Sequence, residues 1–259
     1  MKNCYTGKRM KILLVTPEYP PLNIGGGGIV YENLAKQLKK NGQCINVIAG
    51  NFSNKKLFGR VEMFPVNNVN VNFVPLLPFP KSNKLDLATY TFPTLSGILY
   101  IAKELCRSKN SVIHLHGFFH PIIDITAFLC IVLRKKYILT CHGIPKSPEN
   151  FGFPLNNLFK LYLSTFEKTL VKKASALTMI SYFLMTECKS KNLVNKYMIV
   201  ISNGPNSSLS KVNPNSVSGV EKKYSLKNKK LIFAIGRISP NKGFPVSYTH
   251  LTLPTNREV

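Results

Sequence analysis

Lys11-Ile-Leu-Leu-Val-Thr16, then the loop Pro17-Glu-Tyr-Pro-Pro-Leu-Asn-Ile-Gly-Gly-Gly-Gly28, then Ile29-Val-Tyr-Glu-Asn-Leu-Ala-Lys-Gln-Leu-Lys-Lys-Asn41: this stretch decides the fold. The opening apolar run does not alternate with polar residues, which predicts a strand buried on both faces. Proline and glycine then mark a loop. From Ile29 to Asn41 the residues Val30, Leu34 and Leu38 recur at helical spacing, and Gly42 fits a C-terminal stop. Ile45–Ala49 reads as a second buried strand, so strand, helix and strand follow one another.

The alternation continues outward from there. Val69–Val74 reads as a third strand, and Leu85–Ser108 contains helix interrupted near Pro93. Val112–His116, Tyr137–Cys141, Ala176–Ile180 and Met198–Ile201 read as further strands. Ile122–Leu133, Leu158–Lys173 and Tyr182–Asn192 read as the helices between them. Apolar strands separated by helices predict an α/β fold, a Rossmann-like doubly wound parallel sheet covered on both faces. Asn203–Asn215 is polar and reads as a boundary. Lys230–Ile235 is expected to open a new buried strand, with Gly236–Gly243 as its loop. The expected organisation is therefore a first domain over 1–204 and a linker with the start of a second domain over 205–244. Over 245–259, two prolines and spaced threonines stand where a helix should follow.

Bulk properties narrow the function. The 259 residues carry 35 Lys plus Arg against 11 Asp plus Glu, a net charge of +24. Such a balance favours phosphate-bearing partners: nucleic acid, anionic membrane or sugar nucleotides. General enrichment in lysine accounts for it equally well. No run of five basic residues occurs, and neither a recognition helix nor aromatic-rich basic strands are present, so nucleic acid is not an expected partner. Six cysteines without a CxxC pair are expected to be reduced and buried. The N-terminus lacks a signal-peptide pattern, and the longest apolar run, Ile122–Leu133, contains Asp124 and is too short to span a bilayer. The expected location is cytoplasmic, with the inner membrane face as a further surface. The helix Leu158–Lys173 carries Phe159, Leu163, Phe166 and Leu170 as an apolar stripe among Lys160, Lys168, Lys172 and Lys173, which suits either an anionic membrane surface or core packing.

Ligands of open parallel sheets bind at the carboxyl ends of the strands, where the unusual residues of this chain fall. Gly25-Gly26-Gly27-Gly28 precedes a helix, so its N–H groups can approach an anion. The run is not GxGxxG, since Val30 holds the last glycine position, and no acidic residue follows the second strand, where Ala49-Gly50-Asn51 stands. Both absences count against NAD. His142 follows a strand and precedes glycine, a place from which imidazole can bond a sugar hydroxyl or polarise a leaving group. His114, His116 and His120 raise the question of a metal, but only Asp124 lies near as a further ligand, so no metal is expected. His114 is expected to be a satisfied sheet residue and His116 to sit at a loop end. Arg237 and Lys242 flank a loop and suit a diphosphate.

In order and spacing, several segments resemble glycosyltransferase family four. They are Thr16-Pro-Glu-Tyr-Pro-Pro21 with Gly25-Gly26, Val112-Ile-His-Leu-His-Gly117, Thr140-Cys-His-Gly143, Thr178-Met-Ile-Ser181, Ile201-Ser-Asn-Gly204, and Gly236-Arg-Ile with Lys242-Gly243. The resemblance implies the retaining GT-B architecture: an acceptor-side N-terminal domain facing a donor-binding C-terminal domain, with no metal or other cofactor beyond the nucleotide-sugar co-substrate. It places Gly25 and Gly26 near the donor phosphates, His142 near the reacting carbon, Arg237 and Lys242 on the diphosphate leaving group, and His116, Asn203 and Gly204 in the donor or acceptor vicinity. The implied partners are a nucleotide-sugar donor and a glycan or lipid-linked acceptor. Pro205-Asn206 departs from the Val-Asp that the family usually shows after Asn-Gly. The family's paired glutamates have no counterpart before Val259, and Pro245–Val259 resembles translated adapter sequence. The expectation is a glycosyltransferase fragment that is inactive by itself. The alternative is a non-catalytic sugar- or nucleotide-binding module.

Overall fold

A computed structural model describes residues 9–22, 26–52, 59–77, 91–117, 119–144, 161–204, 214–229, 232–236 and 243. The chain divides into two compact units, Met1–Gly204 and Pro205–Val259. In the first, the described strands form one sheet: β1 (Lys11–Thr16), β2 (Cys44–Asn51), β3 (Glu62–Val66), β4 (Val69–Pro75), β5 (Ser111–His116), β6 (Tyr137–Cys141), β7 (Ala176–Met179) and β8 (Met198–Val200). Their order is β3-β4-β2-β1-β5-β6-β7-β8. Every pairing is parallel except that of β3 with β4. The helices of this unit are α1 (Gly26–Lys40), α2 (Leu95–Arg107), α3 (Pro121–Val132), α4 (Lys168–Lys173) and α5 (Tyr182–Ser190).

β1 shows why its sequence does not alternate. Successive strand side chains point to opposite faces, so Leu13 and Val15 enter one apolar cluster while Ile12 and Leu14 enter another. Ile101 and Leu105 of α2 and Ile123 and Ala127 of α3 close the first cluster; Tyr31 and Ala35 of α1 close the second. With both faces covered, the four central positions, Ile12 to Val15, are all apolar. Full burial of each such side chain stabilises by roughly 1.5–3 kcal/mol.

Three elements differ from the sequence reading, and a fourth falls partly outside the described residues. First, the glycine run is not simply loop: α1 already begins at Gly26, and its buried face is Gly28, Tyr31, Glu32 and Ala35, with Leu34 and Leu38 only partly covered. Second, β3 was not expected. It forms an antiparallel hairpin with β4 through Asn67 (φ 48°) and Asn68 (φ 65°), so the sheet is mixed at one edge. A two-residue turn with both φ positive matches the twist of a hairpin, and asparagine tolerates that region. Pro65 is accommodated because β3 lies at the sheet edge. Third, α2 begins just past the expected interruption at Pro93, where the Thr94 hydroxyl accepts the Gly97 N–H at 3.3 Å, while residues 85–90 of the expected helical stretch lie outside the described residues. Fourth, the described part of the expected helix Leu158–Lys173 is broken by a π-helical turn, Leu163–Glu167, ahead of α4.

That turn serves a buried acid pair. The Tyr162 hydroxyl donates to Asp124 Oδ2 at 2.5 Å and lies 3.2 Å from Glu167 Oε1. The wider turn carries Tyr162 and Glu167, five positions apart, onto the same side toward α3. Burial, then the neighbouring Glu167 carboxyl, pushes Asp124 well above the usual carboxylate range. Burial pushes Glu167 up to about 7 from 4.5, partly offset by its hydrogen bonds to Asp124 and Tyr162. The folded chain thus holds this proton more tightly than the unfolded one. The contribution is complete below about pH 4.5 and is lost as pH rises through about 7. Relative to the wild type, Glu167→Gln is expected to gain stability, on the order of 1 kcal/mol, between about pH 6 and about pH 8. Urea midpoints of both proteins at the two pH values check this; parallel changes would mean that Glu167 does not titrate there.

The stripe on this helix faces inward where it is described: Leu170 is buried and Phe166 packs against the core, as one of the two readings required. Phe159 and Lys160 lie outside the described residues, as does the Leu163 side chain. No described helix is long and apolar enough to cross a membrane. Cys130, Cys141 and Cys188 are buried free thiols, whereas Cys44 and Cys106 are exposed, against the expectation of burial, because they fall at the start of β2 and on the outer side of α2. In the second unit, α6 (Pro214–Lys223) was not expected. The described part of the strand expected at Lys230–Ile235 is not a strand: Ile232, Phe233 and Ile235 are all more than 70% exposed. A strand buries its faces only beside partners, and this unit has no strand among its described residues.

Candidate active site

The parallel strands reverse their order of addition at β1, which has β2 on one side and β5 on the other. A crevice opens outside the carboxyl ends at such a switch point. Here the loop after β1 folds across it. The Gly50 N–H donates to the Pro17 carbonyl at 3.1 Å, and a Cβ on Gly50 would stand 2.7 Å from that oxygen. At the end of β5, Gly117 takes φ +103° and donates its N–H to the Thr140 carbonyl at 3.0 Å. A Cβ there would meet Pro17 Cγ and His120 Cδ2, each at 2.8 Å. The tight approach of three segments therefore requires glycine at 50 and 117.

Of the residues assigned to donor phosphates, Gly26 opens α1, while Gly25, Arg237 and Lys242 lie outside the described residues. The N-terminus of α1 has no acidic residue in its own first turn. Instead the Glu18 carboxylate reaches back from the β1 loop, and Gly28 N–H donates to its Oε1 at 3.0 Å. A negative charge at the positive end of a helix is favourable, so Glu18 caps this end through the Gly28 N–H. Glu18 escaped the sequence reading because its role depends on how the loop folds back.

The histidines are brought together. His116 Nδ1 lies 3.0 Å from His142 Nε2, and His116 Nε2 lies 3.3 Å from His114 Nδ1. His114 Nε2 then lies 2.7 Å from Thr140 Oγ1, which is 2.6 Å from Thr178 Oγ1. His114 is a satisfied sheet residue, as expected. His116 ends β5 where the loop begins, as expected, but is only 4% exposed, because its ring lies between His114 and His142 under Tyr31. The Tyr31 ring meets His116 and His142 edge-on, with centroids 5.3 and 5.2 Å apart. Burial, then the charge His142 would carry, lowers His114 to about 4; burial, then His120, lowers His142 to about 4; burial, then its two histidine neighbours, takes His116 well below the ordinary value. All three rings are therefore neutral near pH 7. His116 is buried, whereas His114 and His142 are half-buried, and His142 stands just past the end of β6 beside exposed Gly143. Tyr31, Thr140 and Thr178 were missed, since only strand register and the seating of α1 make them neighbours of the histidines.

Asn203 and Gly204 are exposed and follow β8, two strands away from β6. No hydrogen bond among the described residues joins them to the histidines. No group of three or more His, Cys, Asp or Glu side chains that could hold a metal ion occurs among the described residues.

The family model described as Glycosyltransferase Family 4 matches residues 24–208, more than half of the chain. The chain belongs to this family. Its fold is that of the GT-B glycosyltransferases. A structure described as trehalose-6-phosphate from E. coli bound with UDP-2-fluoro glucose aligns with a TM-score of 0.55 at 15% identity, over 92% of this chain and 59% of that one. Sucrose-phosphate synthase from Thermosynechococcus elongatus aligns with a TM-score of 0.56 at 13% identity, over 82% of this chain and 53% of that one. The family 4 chain thus spans little more than half the length of these two. No curated protein matches it.

Proposed function

We propose that this family 4 chain takes part in moving a sugar from a nucleotide-sugar donor to a glycan or lipid-linked acceptor. In this reading residues 1–204 form the acceptor-side domain and 205–244 the start of the donor side. The observation that carries it is the half-buried His142 ring at the end of β6, beside the switch point and held by the buried His116. Neutral imidazole there can donate a hydrogen bond to a sugar oxygen without the cost of burying a charge. Gly26 lies at the helix end that would approach the phosphates, and Arg237 and Lys242 would neutralise the diphosphate as it leaves. The similar E. coli structure is described with a UDP-sugar analogue bound, which supports this donor class.

The test is a panel of labelled UDP-, GDP- and ADP-sugars, with binding and turnover read separately. Binding of at least one donor class is expected, with turnover rather than binding lowered by His142→Ala. If none of the three classes binds or turns over, the reading fails. A donor that binds but never transfers, even with the full range of sugar and lipid-linked acceptors, would instead indicate a binding module.

A further inference from the structure

Behind His142 runs an unbroken row of hydrogen-bonding side chains: His142, His116, His114, Thr140 and Thr178, with steps of 3.0, 3.3, 2.7 and 2.6 Å. It crosses from the end of β6 to β5, back to β6, and on to β7. A neutral imidazole has one N–H and one lone pair, and a threonine hydroxyl has one hydrogen. Each imidazole must therefore donate on one side and accept on the other, so the histidines have only two polarities; a hydroxyl can also accept twice, but Thr140 doing so would leave its own buried hydrogen without an acceptor.

The far end chooses between them. Thr178 is 6% exposed, and the partner of its hydroxyl among the described residues is Thr140. In one polarity Thr140 donates to Thr178, whose own hydrogen is then buried without an acceptor. In the other, Thr178 donates to Thr140, Thr140 to His114 Nε2, His114 Nδ1–H to His116 Nε2, and His116 Nδ1–H to His142 Nε2. Every buried hydrogen is then used. The difference, one unpartnered buried donor, favours the second polarity by roughly tenfold or more.

We infer that His114 and His116 are positioning residues that fix His142 as the tautomer with its proton on Nδ1, so that the ring nitrogen outside the row is a hydrogen-bond donor and not a base. Its ligand is an oxygen with a free lone pair: a sugar hydroxyl, or a leaving oxygen gaining negative charge. The identity of that ligand rests on the proposed sugar-transfer reading; the tautomer does not. His142 serves that oxygen without being protonated first, and Nδ1 cannot accept a proton from an incoming nucleophile.

Ring nitrogen spectroscopy on the intact, ligand-free chain labelled with 15N-histidine tests this. Long-range 1H–15N correlations distinguish protonated from bare ring nitrogens, and single substitutions of the five histidines assign the signals. The expected result near neutral pH is Nδ1–H in His142, His116 and His114, each in roughly tenfold excess over the other tautomer. His116→Phe removes the donor to His142 Nε2 and should return His142 to a mixed state. His116→Asn, whose amide nitrogen takes the place of Nδ1, should restore it. His142 found mainly as Nε2–H in the wild type overturns the inference, as does an unchanged His142 signal in a folded His116→Phe chain. If His116→Phe does not fold, the wild-type and His116→Asn spectra decide. Because no ligand is present, the inference can stand while every nucleotide-sugar fails to bind, and the reverse outcome is equally visible.

Discussion

Replacing Gly117 by alanine is expected to destabilise the first unit by roughly 3 kcal/mol. Two costs combine. At φ +103° an L side chain is strained whatever space surrounds it, and the added Cβ would sit 2.8 Å from both Pro17 Cγ and His120 Cδ2. The His120 ring can swing aside, but Pro17 is a rigid ring whose carbonyl is held by Gly50 N–H. Relief therefore requires moving the loop that leads to Glu18 and α1, or breaking the Gly117–Thr140 bond that fixes the end of β5. Gly143→Ala is the control, since a Cβ there meets nothing within 4 Å and the residue is exposed. It should change stability by no more than about 0.5 kcal/mol. Urea unfolding of both variants gives the comparison. A Gly117→Ala midpoint equal to that of Gly143→Ala would mean that Pro17 does not press on this glycine.

His142→Ala is expected to lower sugar transfer roughly 10²-fold, in this chain or in any longer one carrying it that turns over donor. The ring stands where a hydrogen bond to the sugar or leaving oxygen strengthens as charge develops. Most of the loss should therefore appear in kcat and little in KM. The pH profile gives a second readout. The folded protein holds His142 at about 4 instead of 6.5, so the ring stays neutral across about pH 5 to about pH 8 and contributes no inflection near 6.5. The same shift adds stability that is present above about pH 6.5 and is lost as pH falls through about 4. A His142→Ala enzyme with wild-type kcat would remove the residue from the chemistry.

Much of the site was legible because strand ends announce themselves. His142-Gly143 and His116-Gly117 each follow an apolar run, and such a run must be a buried strand wherever both its faces are covered. The hairpin β3–β4 was less legible. Glu62–Val66 contains Pro65 and exposed residues, and only the Asn67-Asn68 pair hints at a turn with positive φ. The π-helical turn at Leu163–Glu167 had no local signal, since it answers to Asp124, 38 residues before Tyr162 in the chain.

By itself the sequence determined the class of fold, the order of the parallel strands and of the helices between them in the first unit, the family, and the residues that end the central strands. These follow from local periodicity and from motifs in a set order, which do not depend on how distant segments meet. Tertiary structure alone decided that Glu18 reaches the helix end, that Tyr31 leans on the imidazoles, and that His114, His116, His142, Thr140 and Thr178 join in one row. Those contacts span three neighbouring strands and a helix. Hydrogen bonds of about 3 Å exist only once parallel register aligns His114 with Ile138 and Thr140 with Thr178. Register is set by packing the whole sheet, so no short stretch of the chain contains it.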